Sequence, residues 1–457
     1  MPVRDAFRRS EVPFSETRRQ VVHLAMGVFA LLLRDLAWWQ AALAAVSAFL
    51  FNLILLPRLG GRWLYRPADR SRGYPLGILI YPLSVLLLIL ALPNRLDLAA
   101  AGWGILAAGD SAATLVGRRV GGPRLPWNGD KSVAGSLAFA VCGSAAGIAL
   151  ALWVRPAVTP VPAPGAIVAA TVAAAVVAAL VESLPVGLDD NISVPIGAGL
   201  VLLGAQNMTW NAWLEAWPTV RASLAGAVLL NVPAATVGWL ARTVTPGGAV
   251  VGALIGILVF ATTGAGGWVL LFASFFAAAA SSKLGLKRKS VLGIAEAHGG
   301  QRGPGNAIAN CGLAAWAGIL AVTTPHREIA LLAFVAALAA GGSDTVASEI
   351  GKAWGSRTYS VPRFARVRPG TSGAVSLEGT AAGLVAALGL AAVGQMAGLV
   401  HGTFVWIAAA GAFAASWVES ALGSTLEAPG ILDNDLLNFI NTTVAAIVAV
   451  VLARMML

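Results

Sequence analysis

VAGSLAFAVCGSAAGIALALWV, residues 133–154, runs for 22 residues without one charged side chain. A stretch near the roughly 20 residues that cross a hydrocarbon core reads as a transmembrane helix. Runs of the same kind recur on either side, at residues 37–56 and 436–457. Over all 457 residues the hydrophobic share is 58%, the charged share 11% and the mean hydropathy +0.78. Soluble domains are about 25% charged, so a soluble globular enzyme is excluded. The pattern predicts an all-α, polytopic helical membrane protein of about 15 spans. They centre on 20–34, 37–57, 75–92, 96–117, 133–154, 164–184, 192–209, 220–241, 248–263, 266–282, 304–323, 327–351, 374–396, 400–422 and 436–456.

The opening MPVRDAFRRSEVPFSETRRQ, residues 1–20, reads as a basic cytoplasmic tail rather than a cleavable signal. Cys142 and Cys311 fall in apolar segments far apart, which suggests neither a disulfide framework nor a zinc site. The net charge of +10 follows the span pattern. With the N-terminus inside, 25 of the 31 Lys and Arg fall in cytoplasmic segments. Only Arg34, Arg95, Arg155, Arg221, Arg327 and Arg454 fall elsewhere. The positive-inside rule sets the orientation from that asymmetry, so topology, and not nucleic acid, accounts for the basic excess. A multi-pass protein of the bacterial inner membrane is expected, with its polar sites facing the cytoplasm.

Upstream of residues 133–154 lies AAGDSAATLVGRRVG (107–121) and then KSVAGS (131–136); downstream lies VESLPVGLDDNISVP (181–195). The second half repeats the order: AAGGSDTVASEIGKAWG (339–355), TSGAVSLEGT (371–380) and VESALGSTLEAPGILDND (418–435). Asp110 and Asp344 are 234 residues apart, Glu182 and Glu419 237. This predicts two related membrane units, 1–210 and 220–457, joined between residues 210 and 220. An extra helix at 220–241 makes the repeat parallel and puts Asp110, Asp344, Glu182 and Glu419 at cytoplasmic helix ends.

An acid within an apolar span costs roughly 2.5–3.5 kcal/mol on insertion scales unless paired or ligated. The chain has 21 acids, and the costly ones gather at the repeated motifs. They are Asp110, Glu182, Asp189 and Asp190 in the first unit, and Asp344, Glu349, Glu378, Glu419, Asp433 and Asp435 in the second. Carboxylates beside cationic loops suit Mg²⁺, which takes one or two of them and leaves its other positions to water and phosphate. Structural ion pairs with Arg118, Arg119, Lys131 or Lys352 are the alternative.

The loops resemble anion seats. Lys131 and Ser132 precede a helix beginning near Val133, and a helix N-terminus offers free N–H groups to phosphate. Arg368, Thr371, Ser372 and Gly373 are expected at the same point of the second unit. HGGQRGPGN, residues 298–306, opens another helix and carries Arg302. No P-loop is present. His23, in the first span, would either hydrogen-bond phosphate or order a carboxylate. Trp38, Trp39, Trp210, Trp213 and Trp217 read as interfacial anchors. Asn191, Asn434, Asn438 and Asn441 could meet ribose, base or metal-bound water.

ETRRQVVH, GDSAATLVGRRVG, KSVAGS and VESLPVGLDDNISVP resemble the polyprenol kinase family, which includes phytol and dolichol kinases and shares ancestry with phosphatidate cytidylyltransferase. The second half, with GGQRGPGNAIAN, GGSDTVASEIG, RPGTSGAVSLEGTAAG and VESALGSTLE, is similar to the transmembrane family containing phytyl-phosphate kinase. The two resemblances cover roughly residues 12–210 and 220–457. One departure is Lys131-Ser132, where the kinase pattern usually has Lys-Thr; the hydroxyl is retained. The resemblance implies a fusion of two kinases, one acting on a long isoprenoid alcohol and one on the resulting monophosphate, with CTP as donor and Mg²⁺. It implies metal-binding or nucleophile-orienting Asp110 and Asp190 in the first unit, with Lys131 on donor phosphates and Glu182 in support. In the second it implies metal-binding Asp344 and Asp435, phosphate-binding Arg302 and Arg368, and supporting or proton-accepting Glu378 and Glu419. His23, Arg118, Ser132, Asn191, Thr371 and Ser372 complete the nucleotide seats; no general base stands out. The competing classes are a CTP-dependent lipid cytidylyltransferase and a lipid or ion transporter, although a transporter places polar groups near the bilayer midplane.

Overall fold

The computed structural model describes residues 15–59, 64–66, 69, 74–125, 128–184, 189–294, 301–427 and 432–456. Residues 1–14 of the expected tail and 298–300 of the glycine-rich loop lie outside them. The chain divides into two compact units, Met1–Asn207 and Met208–Leu457.

In the first unit α1, Glu16–Met26, starts at Ser15, whose side chain accepts from the Arg18 amide, and continues as a 3₁₀ stretch, Gly27–Arg34. Then come α2 (Trp38–Leu50, followed by a π turn Phe51–Leu55) and α3 (Leu76–Ala91). Helix α4 covers Leu96–Val120 and contains a π segment, Ile105–Gly109, immediately before Asp110. An antiparallel hairpin of β1 (Arg124–Leu125) and β2 (Asn128–Ser132) leads into α5, Val133–Val154. The unit ends with α6 (Pro164–Ser183) and α7 (Asp190–Ala205). Helix α5 buries one residue in four: Gly135, Phe139, Gly143, Gly147 and Ala151. Small residues at that spacing let helices approach backbone to backbone in lipid. A Cβ on Gly104 would lie 2.9 Å from the Gly147 Cα, so α4 and α5 touch main chain to main chain.

The second unit begins with α8 (Trp210–Leu240) and α9 (Pro246–Lys283). Straight, the 38 residues of α9 would span about 57 Å. Ala249 and Ala278 nevertheless line the same cavity of about 170 Å³. The helix therefore folds back, and it does so at Gly264, whose φ of 74° and ψ of −166° are non-helical and suit a residue without Cβ. A short α10 (Leu286–Val291) and then α11 (Pro304–Thr323) and α12 (Arg327–Trp354) follow. Arg288 donates to the Ala353 and Gly355 carbonyls at 3.0 and 3.2 Å, a cation on the last turn of α12. Strands β3 (Thr358–Ser360), β4 (Ala365–Val367) and β5 (Ala374–Ser376) form an antiparallel sheet in the order β4-β3-β5. The unit closes with α13 (Leu377–Met396), α14 (Gly402–Leu422, with a π turn Gly423–Glu427) and α15 (Asn434–Met456). Helix α13 buries Gly379, Gly383, Ala387 and Ala391, again one in four.

The protein is thus a polytopic helical membrane protein. Among the described residues, 11 helices are long and apolar enough to cross a membrane, and Leu76–Ala91 and Asp190–Ala205 are shorter apolar helices. That number is below the expected 15 for identifiable reasons. The first span is part α-helix and part 3₁₀, two are short, and 248–263 and 266–282 are the two arms of α9. The two small sheets were not anticipated.

Candidate functional site

In the first unit the acids are drawn into one polar cluster. The Lys131 ammonium, at the end of the hairpin, pairs with Glu182 from the last turn of α6 and lies 3.1 Å from Asp190 Oδ2 at the start of α7. Burial disfavours the lysine charge, but Asp190 and Glu182 outweigh it and hold its pKa above the ordinary value, so the group stays cationic. Next to it, Ser132 caps α5 by accepting from the Gly135 amide at 3.2 Å. Asp189 caps α7 and accepts from both the amide and the side chain of Asn191, at 2.9 and 2.7 Å. Glu182 Oε2 and Asn191 Oδ1 are buried without a hydrogen-bond partner.

Asp110 lies in this cluster but not at a helix end, contrary to the sequence reading. It is buried and ten residues short of the last residue of α4, about 15 Å along the axis. Its side chain faces a partner on another helix and caps nothing. That partner is His23, whose Nε2 stands 3.7 Å from Asp110 Oδ2 and 3.3 Å from the Leu106 carbonyl. The imidazole packs edge-on against Tyr81. The carbonyl can only accept, so Nε2 carries a proton; in the neutral ring Nδ1 is then the acceptor. His23 also lines a cavity of about 550 Å³ between α1, α2 and α3, together with Arg19 and Tyr81. Arg19 is neutralised by Glu16 at 2.8 Å, which also meets Arg66 at 3.4 Å. Arg118 is exposed.

The second unit sets its aspartate in a comparable place. Asp344 is again ten residues short of its helix end. Its electrostatic neighbour is Glu419 on α14. Both line a polar cavity of about 260 Å³ with Lys352, Thr371, Ser372 and Glu427. Glu419 Oε2 is buried without a hydrogen-bond partner. Lys352 is tied to Glu349 at 2.8 Å, and Glu349 to the buried Lys289 at 2.5 Å. A second, mostly apolar cavity, the one between the arms of α9, ends on Arg302, Asn306, Asn310 and Thr345. Arg302 donates to Asn306 Oδ1 at 3.1 Å and is close enough to Asp344 to act on its charge.

One contact recurs in both units. A Cβ on Gly117 would meet Ser132 Oγ at 3.2 Å, and one on Gly351 would meet Ser376 Oγ at 3.2 Å. Ser376 caps α13 through the Gly379 amide at 3.1 Å, as Ser132 caps α5. The counterpart of Ser132 is therefore Ser376. Thr371, Ser372 and Gly373 precede β5 and reach the cavity from the turn, not from a helix start. The shared spacing Ser-x-x-Gly, in KSVAG and VSLEG, carried that signal.

Three expected residues are not brought to Asp344. Glu378 accepts from the Ser356 amide and hydroxyl at 3.1 and 2.7 Å, bracing the turn after α12. Arg368 is exposed on the strand-to-turn segment, outside the cavity lining. Asp435 also lies off that lining, whereas its neighbour Asn434 is on it; on a helix adjacent residues point to different faces. Glu427 and Arg19 are the groups the motif comparison passed over: Glu427 lies inside the repeated string 418–435 but outside its Asp-Asn cluster, and Arg19 precedes the repeated strings. Among the described residues no three His, Cys, Asp or Glu are grouped as a metal cage. Mg²⁺ needs no such cage, and Asp344 with the unpartnered Glu419 oxygen, or Asp110 beside Asp190, matches the one or two carboxylates it takes.

The family model described as Integral membrane protein DUF92 matches residues 229–446. An uncharacterized membrane protein of Synechocystis sp. is 36% identical over 245 residues, 52% of this chain and 94% of that protein. Protein VTE6, chloroplastic, of Arabidopsis thaliana is 33% identical over 251 residues, 53% of this chain and 74% of that protein. Probable phytol kinase 3, chloroplastic, of Glycine max is 29% identical over 195 residues, 40% of this chain and 61% of that protein. No solved structure matches the chain. With relatives above 30% identity matched over most of their own length, and the family model covering most of the second unit, the chain belongs to the integral membrane protein family DUF92.

Proposed function

We propose that the first unit phosphorylates a long isoprenoid alcohol and the second phosphorylates the monophosphate to the diphosphate, with CTP as donor and Mg²⁺. The observation that carries this reading is a difference between the two apolar cavities. The first ends on His23, the second on Arg302. An alcohol must lose a proton to become a nucleophile, whereas a phosphate monoester is already anionic and needs a cation to hold it. The similarity to a probable phytol kinase supports the same chemistry.

In the first step the alcohol oxygen attacks the γ-phosphorus, the bond from that phosphorus to the β-phosphate oxygen breaks, and CDP leaves. The hydroxyl proton passes to Nδ1 of His23, whose Nε2–H is fixed on the Leu106 carbonyl beside Asp110. Lys131 and the capped start of α5 hold donor phosphates. In the second step a monophosphate oxygen attacks instead, held by Arg302, while Lys352 and the Thr371–Ser372 turn face the donor across Asp344. Magnesium, when bound by Asp110 or by Asp344 and Glu419, supplies charge neutralisation on the transferred group. Both donor sites face the cytoplasm on this reading, which is where CTP is available.

The test is to incubate the purified protein in detergent with phytol or geranylgeraniol, Mg²⁺ and γ-labelled CTP. Labelled mono- and diphosphate are expected. CDP-lipid with pyrophosphate would make the protein a cytidylyltransferase, and transport into liposomes without nucleotide turnover would make it a transporter.

A further inference from the structure

The cavity of the first unit is far larger than a reacting hydroxyl needs. At about 550 Å³ it falls in the range of roughly 300–1,000 Å³ typical of small-molecule sites. Its polar groups gather at one end, and each has a partner. Arg19 is held by Glu16, Asn52 donates to the Ile78 carbonyl at 3.1 Å, and the Tyr81 hydroxyl accepts from Trp103 at 2.9 Å. That leaves the acceptor nitrogen of His23 for an incoming hydroxyl. Beyond them the walls are hydrocarbon, from Met26 and Val85 to Leu33 and Ala41.

The shape suits a chain. One wall is α1 and its 3₁₀ extension, which rises about 2.0 Å per residue against 1.5 Å in an α-helix, so His23 and Leu33 are roughly 18 Å apart along the axis. Leu33 and Ala41, at the far end, are almost fully buried and close it. Phe29, Leu32 and Phe51 also line the cavity but are about half exposed, so its side opens towards hydrocarbon. An apolar cavity of about 150 Å³ accommodates one benzene, six carbons. On that scale about 550 Å³ corresponds to roughly twenty carbons.

We infer that this cavity seats the hydrocarbon chain of the alcohol, hydroxyl at His23, and measures its length at roughly twenty carbons against Leu33 and Ala41. The alcohol enters sideways from the bilayer between Phe29, Leu32 and Phe51. The identity of the ligand as an alcohol rests on the kinase reading; the seat and its length rest on the cavity. Alanines on α2 set the ruler. Ala41 lies at the closed end, and Ala48, one turn before Asn52, lies nearer the polar end.

The experiment has two arms, both on the full chain in detergent. A twenty-carbon isoprenoid alcohol bearing a diazirine at its hydrocarbon terminus is photolysed on the unmodified protein, and the labelled residues are mapped by mass spectrometry. Labels between Leu33 and Ala45, displaced by unlabelled geranylgeraniol, are expected. In the second arm, Ala41→Phe and Ala48→Phe are compared for phosphorylation of twenty- and ten-carbon alcohols. The ratio of kcat/KM for the longer over the shorter should fall roughly tenfold or more, and further for Ala48→Phe. Labels elsewhere, or an unchanged ratio in protein that still phosphorylates the alcohol, overturn the inference and leave the kinase reading standing. Labels in the cavity, displaced by the alcohol but without phosphoryl transfer from any nucleotide, overturn the kinase reading and leave the seat. Labels displaced equally by a phospholipid of the same chain length show an ordinary bilayer lipid in the cavity and overturn the inference.

Discussion

Lys289 and Glu349 are both almost fully buried and lie 2.5 Å apart, with Lys352 completing the group at 2.8 Å. Removing one member of a buried pair costs about 3–5 kcal/mol, because the other charge is left without compensation. Lys289→Met is expected at the lower end of that range, since Lys352 still faces Glu349, and Lys289→Met with Glu349→Leu should recover much of the loss. Thermal midpoints in detergent for the two single variants and the double variant check this. The aspartates give the functional counterpart. Asp110→Asn should abolish phosphorylation of the alcohol and leave conversion of supplied monophosphate intact. Asp344→Asn should do the reverse, so that monophosphate accumulates; each loss is expected to be roughly a hundredfold or more, the scale of one positioned charge. Product analysis by thin-layer chromatography distinguishes these outcomes from one composite site, in which either variant loses both steps. The repeated strings marked Asp110, Lys131, Glu182, Asp344 and Glu419, each of which lies in a polar cluster. Glu378, Arg368 and Asp435 lie off the Asp344 cavity, since motif proximity says nothing about the direction of a side chain. Glu378 sits two residues after the cap of α13 and turns to Ser356.

At the scale of elements, most helix boundaries followed from apolar length and the capping serines from local chemistry, but residues 210–219, read as the join between units, are the first turns of α8. What sequence periodicity missed was where a helix continues. Asp110 reads as an end because polar residues follow it, yet α4, after a π segment that ends at Gly109, goes on as α-helix for ten more residues. The glycine faces explain why. A Cβ on Gly135 would sit 3.0 Å from the Ala113 carbonyl, and one on Gly379 would sit 2.6 Å from the Ala347 carbonyl. Each carbonyl lies three residues after the aspartate of its unit, so the close crossing fixes the aspartate's height. Gly379→Ala should therefore destabilise more than Gly135→Ala, within the roughly 1–3 kcal/mol expected of overpacking. Unfolding followed by tryptophan fluorescence ranks the two, and equal effects would show that the crossing relaxes freely.

For the whole molecule, the charge asymmetry makes a statement about sides. Single cysteines placed at Arg124 and Arg363, in a background without Cys142 and Cys311, should react with a membrane-impermeant maleimide only from the cytoplasmic face. Labelling on opposite faces would break the span assignment and the parallel repeat together. Composition made the membrane class legible at once, since a charged share of 11% is less than half the roughly 25% of typical soluble domains. The spans 248–263 and 266–282 flank Gly264, where α9 reverses, although a reversal on a single glycine leaves no polar loop in the sequence. That reversal bears on how the protein is made. From Pro246 to Lys283 the ribosome delivers 38 residues with no charge before the last of them. No hydrophilic pause separates the arms at Gly264, so an insertion machinery that waits for one is expected to release them together, as a hairpin, and the residue that sets the bend would also set the unit of biogenesis.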